Sequence, residues 1–284
     1  MPELTLGLAQ IDTTLGDVDA NLEKHLAWID DARDRGVDLI LFPELSLTGY
    51  SLQDLAPTVA RRPAADDPTF GPLLEASKDI DVLVGFVEAD ARQRFYIAAA
   101  YLSQGQVLHV HRKVYLPTYT LFDEGRFFAW GERIRAFDTQ FGRFGVLVCE
   151  DFWHVSAPYL LWLDGAEALL LISSSPGRGL DDEEMLDTAR WVERINQAYA
   201  SLFTTFVAHT NRIGFEDGLT FWGGATAFDP DGRRLVRAPH HEEALTLVEF
   251  DLAQLRRTRT HLPLLRDERT ALVKRELNRI LDVH

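Results

Sequence analysis

Cysteine is nearly missing from this chain. Of 284 residues only Cys149 carries a thiol, which excludes an intramolecular disulfide framework and any zinc site built on several cysteines. Basic residues are also in short supply. Lys and Arg total 29 against 44 Asp and Glu, for a net charge of −15, so the basic stripe that nucleic acid or an anionic membrane requires is not expected. No apolar run approaches the ~18 residues that span a bilayer. Met1-Pro2-Glu3 opens without a basic region ahead of an apolar stretch, which predicts no secretory leader and a cytoplasmic location. The nine His are scattered, with no HExxH pair, and no Gly-rich phosphate loop of the GxxxxGK type occurs. Neither a metal nor a nucleotide cofactor is expected.

What is present is a regular alternation of strand and helix patterns, with 46% apolar residues, enough for one large core. Leu4, Leu6 and Leu8 alternate as in a strand, and Asp19–Arg35 reads as a helix with Leu22, Leu26 and Ile29 at helical spacing and Gly36 as its stop. Val37–Phe42 is a continuous apolar run of the kind buried on both faces. A helix near Leu73–Lys78 and strands at Val82–Val87, Ile97–Leu102 and Gln106–His111 follow, the last two joined at Ser103-Gln104-Gly105. Phe144–Val148, Ala168–Ile172, Leu202–His209 and Ala225–Phe228 read as strands, Asp181–Ala200 and Leu265–Leu281 as helices, and Pro230-Asp231-Gly232 as a turn. No composition shift marks a linker, so residues 1–284 read as one α/β domain with 263–284 as a tail. Hairpins mixed with helical crossovers favour two packed sheets with helices outside.

Three of these strands end in reactive residues, where α/β proteins gather their sites. LILFPELSLTGY places Glu44 after a buried strand, HRKVYLPTY places Lys113 just past another, and FGVLVCEDFWH ends a third at Cys149. Taken singly, each has an ordinary role: a buried structural Cys, a solvated turn Lys, a helix-capping Glu. Taken together, a carboxylate can accept the thiol proton, and an ammonium can favour both anions and face a developing oxyanion.

With these segments in view, the chain resembles the nitrilase superfamily of carbon–nitrogen hydrolases, whose mark is a Glu–Lys–Cys triad in this order. LGLAQIDTTLGDVDANL, NRIG at Asn211–Gly214 and FWGGATAFDPDG at Phe221–Gly232 extend the likeness over residues 4–250. The resemblance implies a four-layer α-β-β-α sandwich and a homodimer or higher homo-oligomer. The tail helix is its candidate crossing element, or else a cap on its own domain. It implies Cys149 as nucleophile, Glu44 as general base and acid, and Lys113 with the Glu150 backbone N–H as oxyanion donors. Glu124, 11 residues after Lys113, is the match for a second Glu of the family. A surface charge or a pair with Arg126 is the other reading.

PELSLTGYSLQDL and CEDFW look closest to the glutaminase domain of glutamine-dependent NAD synthetases. On that likeness Tyr119, Glu150 and Ser175 are substrate-binding candidates, and Arg178 is a carboxylate clamp or a solvent-facing loop residue. Ser173, Ser174 and Ser175 also fit a strand end whose hydroxyls bond to the backbone. Two departures separate the chain from those domains: no ATP-binding segment is recognisable, and Asn211 is followed by Arg212 where Gln is usual. Glu216 and Asp217 nearby could favour an amino-bearing substrate. The expectation is a free-standing amidase hydrolysing a small ω-amide or N-carbamoyl compound through a Cys thioester. A nitrilase, a glutaminase subunit feeding ammonia to a separate synthetase, and a catalytically inactive binding protein are the alternatives.

Overall fold

The apolar runs form strands buried on both faces, and period two divides each run between two neighbours. In Ala168–Ser173, Ala168, Leu170 and Ile172 point into one apolar layer while Leu169 and Leu171 point into another. The computed structural model describes residues 3–177 and 187–282. Its strands are β1 (Glu3–Gln10), β2 (Leu39–Leu41), β3 (Asp81–Ala89), β4 (Phe95–Ser103), β5 (Gln106–Arg112), β6 (Phe137–Thr139) and β7 (Gly142–Val148). They continue with β8 (Ala168–Ser173), β9 (Phe206–Asn211), β10 (Ile213–Glu216), β11 (Leu219–Trp222), β12 (Thr226–Phe228), β13 (Arg234–Arg237) and β14 (Ala244–Asp251).

One six-stranded sheet runs β14-β1-β2-β3-β4-β5 and the other β13-β12-β9-β8-β7-β6, while β10 and β11 form a separate hairpin. Each large sheet has a parallel trio, β1-β2-β3 or β7-β8-β9, flanked by antiparallel strands. Leu6, Leu41 and Leu83 of the first sheet share an apolar layer with Val146, Leu170 and Phe206 of the second.

The helices are α1 (Val18–Asp34), α2 (Ala56–Val59), α3 (Phe70–Ala76), α4 (Glu124–Phe127), α5 (Ser156–Leu163), α6 (Asp187–Phe203), α7 (Leu252–His261), α8 (Leu264–Asp267) and α9 (Thr270–Leu281). Helices α1 and α3 cover the first sheet through Ile29, Phe70 and Leu73. Helices α5 and α6 cover the second through Leu161, Val192 and Tyr199. The result is the expected α-β-β-α sandwich. None of these helices is long and apolar enough to cross a membrane.

Local chemistry explains the boundaries. Asp17 caps α1 by accepting from the Ala20 N–H at 3.0 Å. Gly36, at φ +74°, lets the chain leave with Val37 N–H bonded to Ala32 O. Gln104 and Gly105 both sit at positive φ in the β4–β5 turn, as a two-residue hairpin requires.

Two expectations are corrected. Leu202 and Phe203 belong to α6, not to a strand, because Ala189, Val192, Asn196, Tyr199 and Phe203 continue one buried helical face; the strand starts at Phe206. The Asp181 start of that helix lies outside the described residues. The tail is two helices, since Glu268 and Arg269 leave the helical region between α8 and α9. No residue of α9 is fully buried: Leu272, Val273 and Glu276 are half-buried, and Leu277, Ile280 and Leu281 are exposed.

Strand β3 passes so close to the chain around Glu44 that a Cβ on Gly85 would lie 2.3 Å from Pro43 O and 2.6 Å from Leu45 N. Both neighbours are backbone and cannot swing aside. Gly85→Ala is therefore expected to lower unfolding free energy by about 1–3 kcal/mol, read by urea denaturation.

Candidate active site

Strand ends from both sheets converge on one point. Glu44 follows β2 and Pro43, and the next residue, Leu45, turns at φ +51°. Lys113 follows β5, its backbone fixed by Lys113 N–H to Ile97 O and Gly131 N–H to Lys113 O. Cys149 follows β7 as the first residue of a 3₁₀ turn, Cys149–Trp153. Its φ is +47°, a region that costs a non-glycine residue on the order of 1–3 kcal/mol and persists only where neighbours enforce it.

The Lys113 ammonium lies 2.7 Å from Glu44 Oε1 and 2.8 Å from the Glu124 carboxylate. Both Lys113 and Glu44 are fully buried. Glu44 Oε2 accepts from the Ser174 N–H at 2.8 Å, and Ser174 Oγ donates to Glu44 O at 2.7 Å. Glu124 accepts from Tyr50 Oη at 2.7 Å. It is thus neither a surface charge nor a partner of Arg126, which lies beside Asp123 instead.

Burial alone would lower the Lys113 pKa, but the carboxylates of Glu124 and Glu44 overturn that and hold it well above the ordinary lysine value. Burial raises Glu124 to about 7, against the pull of Lys113 and with Glu44 adding to the rise. Burial also pushes the Cys149 thiol well up, with Glu44 adding and Lys113 opposing. The thiol therefore rests protonated, beside a carboxylate able to take its proton.

Cys149 is 8% exposed and opens into a cavity of about 330 Å³ whose walls include Tyr119, Phe122, Glu150, Trp153 and Trp191. Tyr119 Oη donates to Glu150, 3.0 Å from each carboxylate oxygen. Ser175 Oγ lies 3.9 Å from Cys149 Sγ, and its N–H bonds Asn211 Oδ1 at 2.8 Å. Tyr119, Glu150 and Ser175 thus line one cavity with Cys149. Arg178 lies outside the described residues.

Glu216 and Asp217 are not at this cavity. Glu216 is buried under the Tyr50 and Ser51 N–H groups and paired with Arg212 at 2.7 Å, while Asp217 sits exposed in the β10–β11 turn. Glu216, the last residue of β10, takes its two N–H partners from 166 and 165 residues away in sequence. Tyr50 has no role assigned from sequence, and Ser174 reads only as a strand-end hydroxyl bonding to the backbone, which it does at Glu44 O. Tyr50 lies in the quoted LILFPELSLTGY segment, but only folding reveals what it bonds. Among the described residues no group of three or more His, Cys, Asp or Glu is arranged to hold a metal.

The carbon–nitrogen hydrolase family profile matches residues 5–260. The chain belongs to this family. It is 32% identical over 258 residues to a glutamine-dependent NAD(+) synthetase of Acinetobacter baylyi, covering 90% of this chain but 46% of that protein. The chain thus spans under half the length of that curated relative. A carbon–nitrogen hydrolase from Helicobacter pylori superposes with a TM-score of 0.83 at 21% identity, over 97% of this chain and 99% of that one. An amidase variant from Nesterenkonia sp., whose active-site cysteine carries the Michael addition product of acrylamide, superposes at 0.80 with 22% identity, over 96% and 99% of the two chains. The fold is that of the nitrilase superfamily.

The raised Glu124 value carries a stability consequence with a definite sign. A carboxyl whose folded pKa exceeds its unfolded one binds its proton more tightly when folded, so its contribution is complete below the unfolded value and lost as pH rises through about 7. Between roughly pH 4.5 and 7 one such proton changes stability by about 1.4 kcal/mol per pH unit. Glu124→Gln removes that proton, so the difference in denaturation midpoint between wild type and variant is expected to move steadily across this window.

Proposed function

We propose that the protein hydrolyses the carbon–nitrogen bond of a small amide, foremost an ω-amide of glutamine type, through a thioester on Cys149. The observation that carries this reading is the Lys113 ammonium held between Glu44 and Glu124, beside a thiol that opens into a substrate-sized cavity. In the proposed cycle Glu44 takes the Sγ proton as sulfur attacks the amide carbon. The carbonyl oxygen becomes an oxyanion facing Lys113 Nζ and the Glu150 N–H. Glu44 then protonates the departing nitrogen, the C–N bond breaks, and ammonia or amine leaves a thioester. Water gives a proton to Glu44 and its hydroxyl to the acyl carbon; the acid departs, and the proton returns to sulfur.

Tyr119, Glu150 and Ser175 are proposed to bind the polar groups of the acyl portion, with Arg178 as a further candidate. N-carbamoyl compounds fit the same chemistry. The reading includes a cytoplasmic enzyme working as a homodimer or higher homo-oligomer, for which the uncovered α9 supplies a surface. A second reading, a glutaminase unit passing ammonia to a synthetase, draws on the likeness to the Acinetobacter baylyi protein. It predicts weak activity alone and strong stimulation by a partner.

The test is ammonia release from a panel of primary amides and N-carbamoyl compounds. Cys149→Ala is expected to stay folded and lose turnover altogether, and Lys113→Met to lose about 10²–10³ in kcat or more. Turnover of the wild-type substrate by Cys149→Ala would remove the mechanism.

A further inference from the structure

The oxyanion donor and the nucleophile arrive from different sheets, Lys113 from β5 and Cys149 from β7, and something must fix one against the other. One fully buried side chain, Asp151, bonds the chain next to each of them. Asp151 Oδ1 accepts from the N–H groups of Val114 and Tyr115, each at 2.9 Å, the two peptides directly after Lys113. Its Oδ2 accepts from His111 Nε2 at 2.8 Å, two residues before Lys113, and from Val148 N–H at 3.1 Å, the residue before Cys149. A carboxylate only accepts, so His111 Nε2 carries the hydrogen.

We propose that Asp151, oriented by His111, is the positioning residue that sets Lys113 against Cys149. This assignment rests on the amidase reading above. Asp151 touches no reacting atom in that scheme. It closes the turn that keeps Cys149 at positive φ and anchors the backbone on both sides of Lys113, so the ammonium is delivered to a fixed place. Four donors on one carboxylate leave little freedom for either strand end. Lost register between the two would be felt in the chemical step before it is felt in substrate binding, because misplacement of about 1 Å costs reaction rate steeply.

The experiment compares Asp151→Asn, His111→Leu and His111→Gln. Asn keeps the shape but turns a donor toward the amides; Leu removes the ring donor; Gln restores an N–H at the ε position. The expected result for Asp151→Asn is a fall in kcat of about 10²-fold with KM within about twofold. His111→Leu should lose about tenfold in kcat, and His111→Gln should regain most of it. Cys149 alkylation by iodoacetamide, followed by intact mass, should slow about tenfold in Asp151→Asn, since a displaced Lys113 no longer favours the thiolate.

A folded Asp151→Asn with unchanged kcat and alkylation overturns the proposal, as does a KM increase matching the loss in kcat. Should Asp151→Asn fail to fold, the His111 pair decides: equal rates for Leu and Gln contradict the assignment. If the wild type hydrolyses no amide, the amidase reading fails by itself, and the alkylation comparison still judges Asp151.

Discussion

One ammonium shared by two carboxylates is the constraint around which this structure is arranged. Lys113, Glu44 and Glu124 are all removed from water, and none could stay charged there alone. Lys113 neutralises one carboxylate, while burial first, with Glu44 adding to it, holds Glu124 and the Cys149 thiol above their ordinary values. Breaking such a buried set by removing one partner typically costs about 3–5 kcal/mol. Three charged residues are therefore retained at the cost of burial, at the point where the proposed reaction moves a proton.

The sandwich makes that arrangement possible. Two sheets packed face to face, each with a parallel trio at its centre, bring strand ends together at one edge of the shared apolar layer. Cross-sheet bonds then fix the positions. Ser174 from the second sheet grips Glu44 from the first, and Asp151 grips the chain beside Lys113. Gly85 lets β3 pass against the backbone of Glu44 without a side chain between them. The charged group is held by backbone geometry on three sides, which suits a site whose donors must be in place before the substrate arrives.

Much of this architecture was readable in the residues. The runs Val37–Phe42 and Ala168–Ile172 could only be strands covered on both faces, and Gly36 marked a helix end by its freedom at positive φ. Edge elements were harder. Strand β14 is half exposed along most of its length and carries no continuous apolar run, and the β10–β11 hairpin is four residues a side. Phe203 belongs to a helix because of the face it shares with Tyr199 and Val192, a distinction that an apolar pair at a helix end does not reveal. In the site, residue types at strand ends pointed to Glu44, Lys113 and Cys149. Most partners of Asp151 and Glu216 were out of reach because they lie 36 to 166 positions away along the chain, with only Val148 and Arg212 close in sequence.

The central claim is that acyl transfer passes through the sulfur of Cys149. The most direct measurement is the intact mass of the wild type, acid-quenched during turnover of an amide that it hydrolyses, with the modified peptide then located. The account predicts a mass increase equal to the acyl group, confined to the peptide containing Cys149 and discharged by hydroxylamine. Amide turnover by the wild type with no acyl adduct on Cys149 under any quench, or an adduct on another residue, would contradict it.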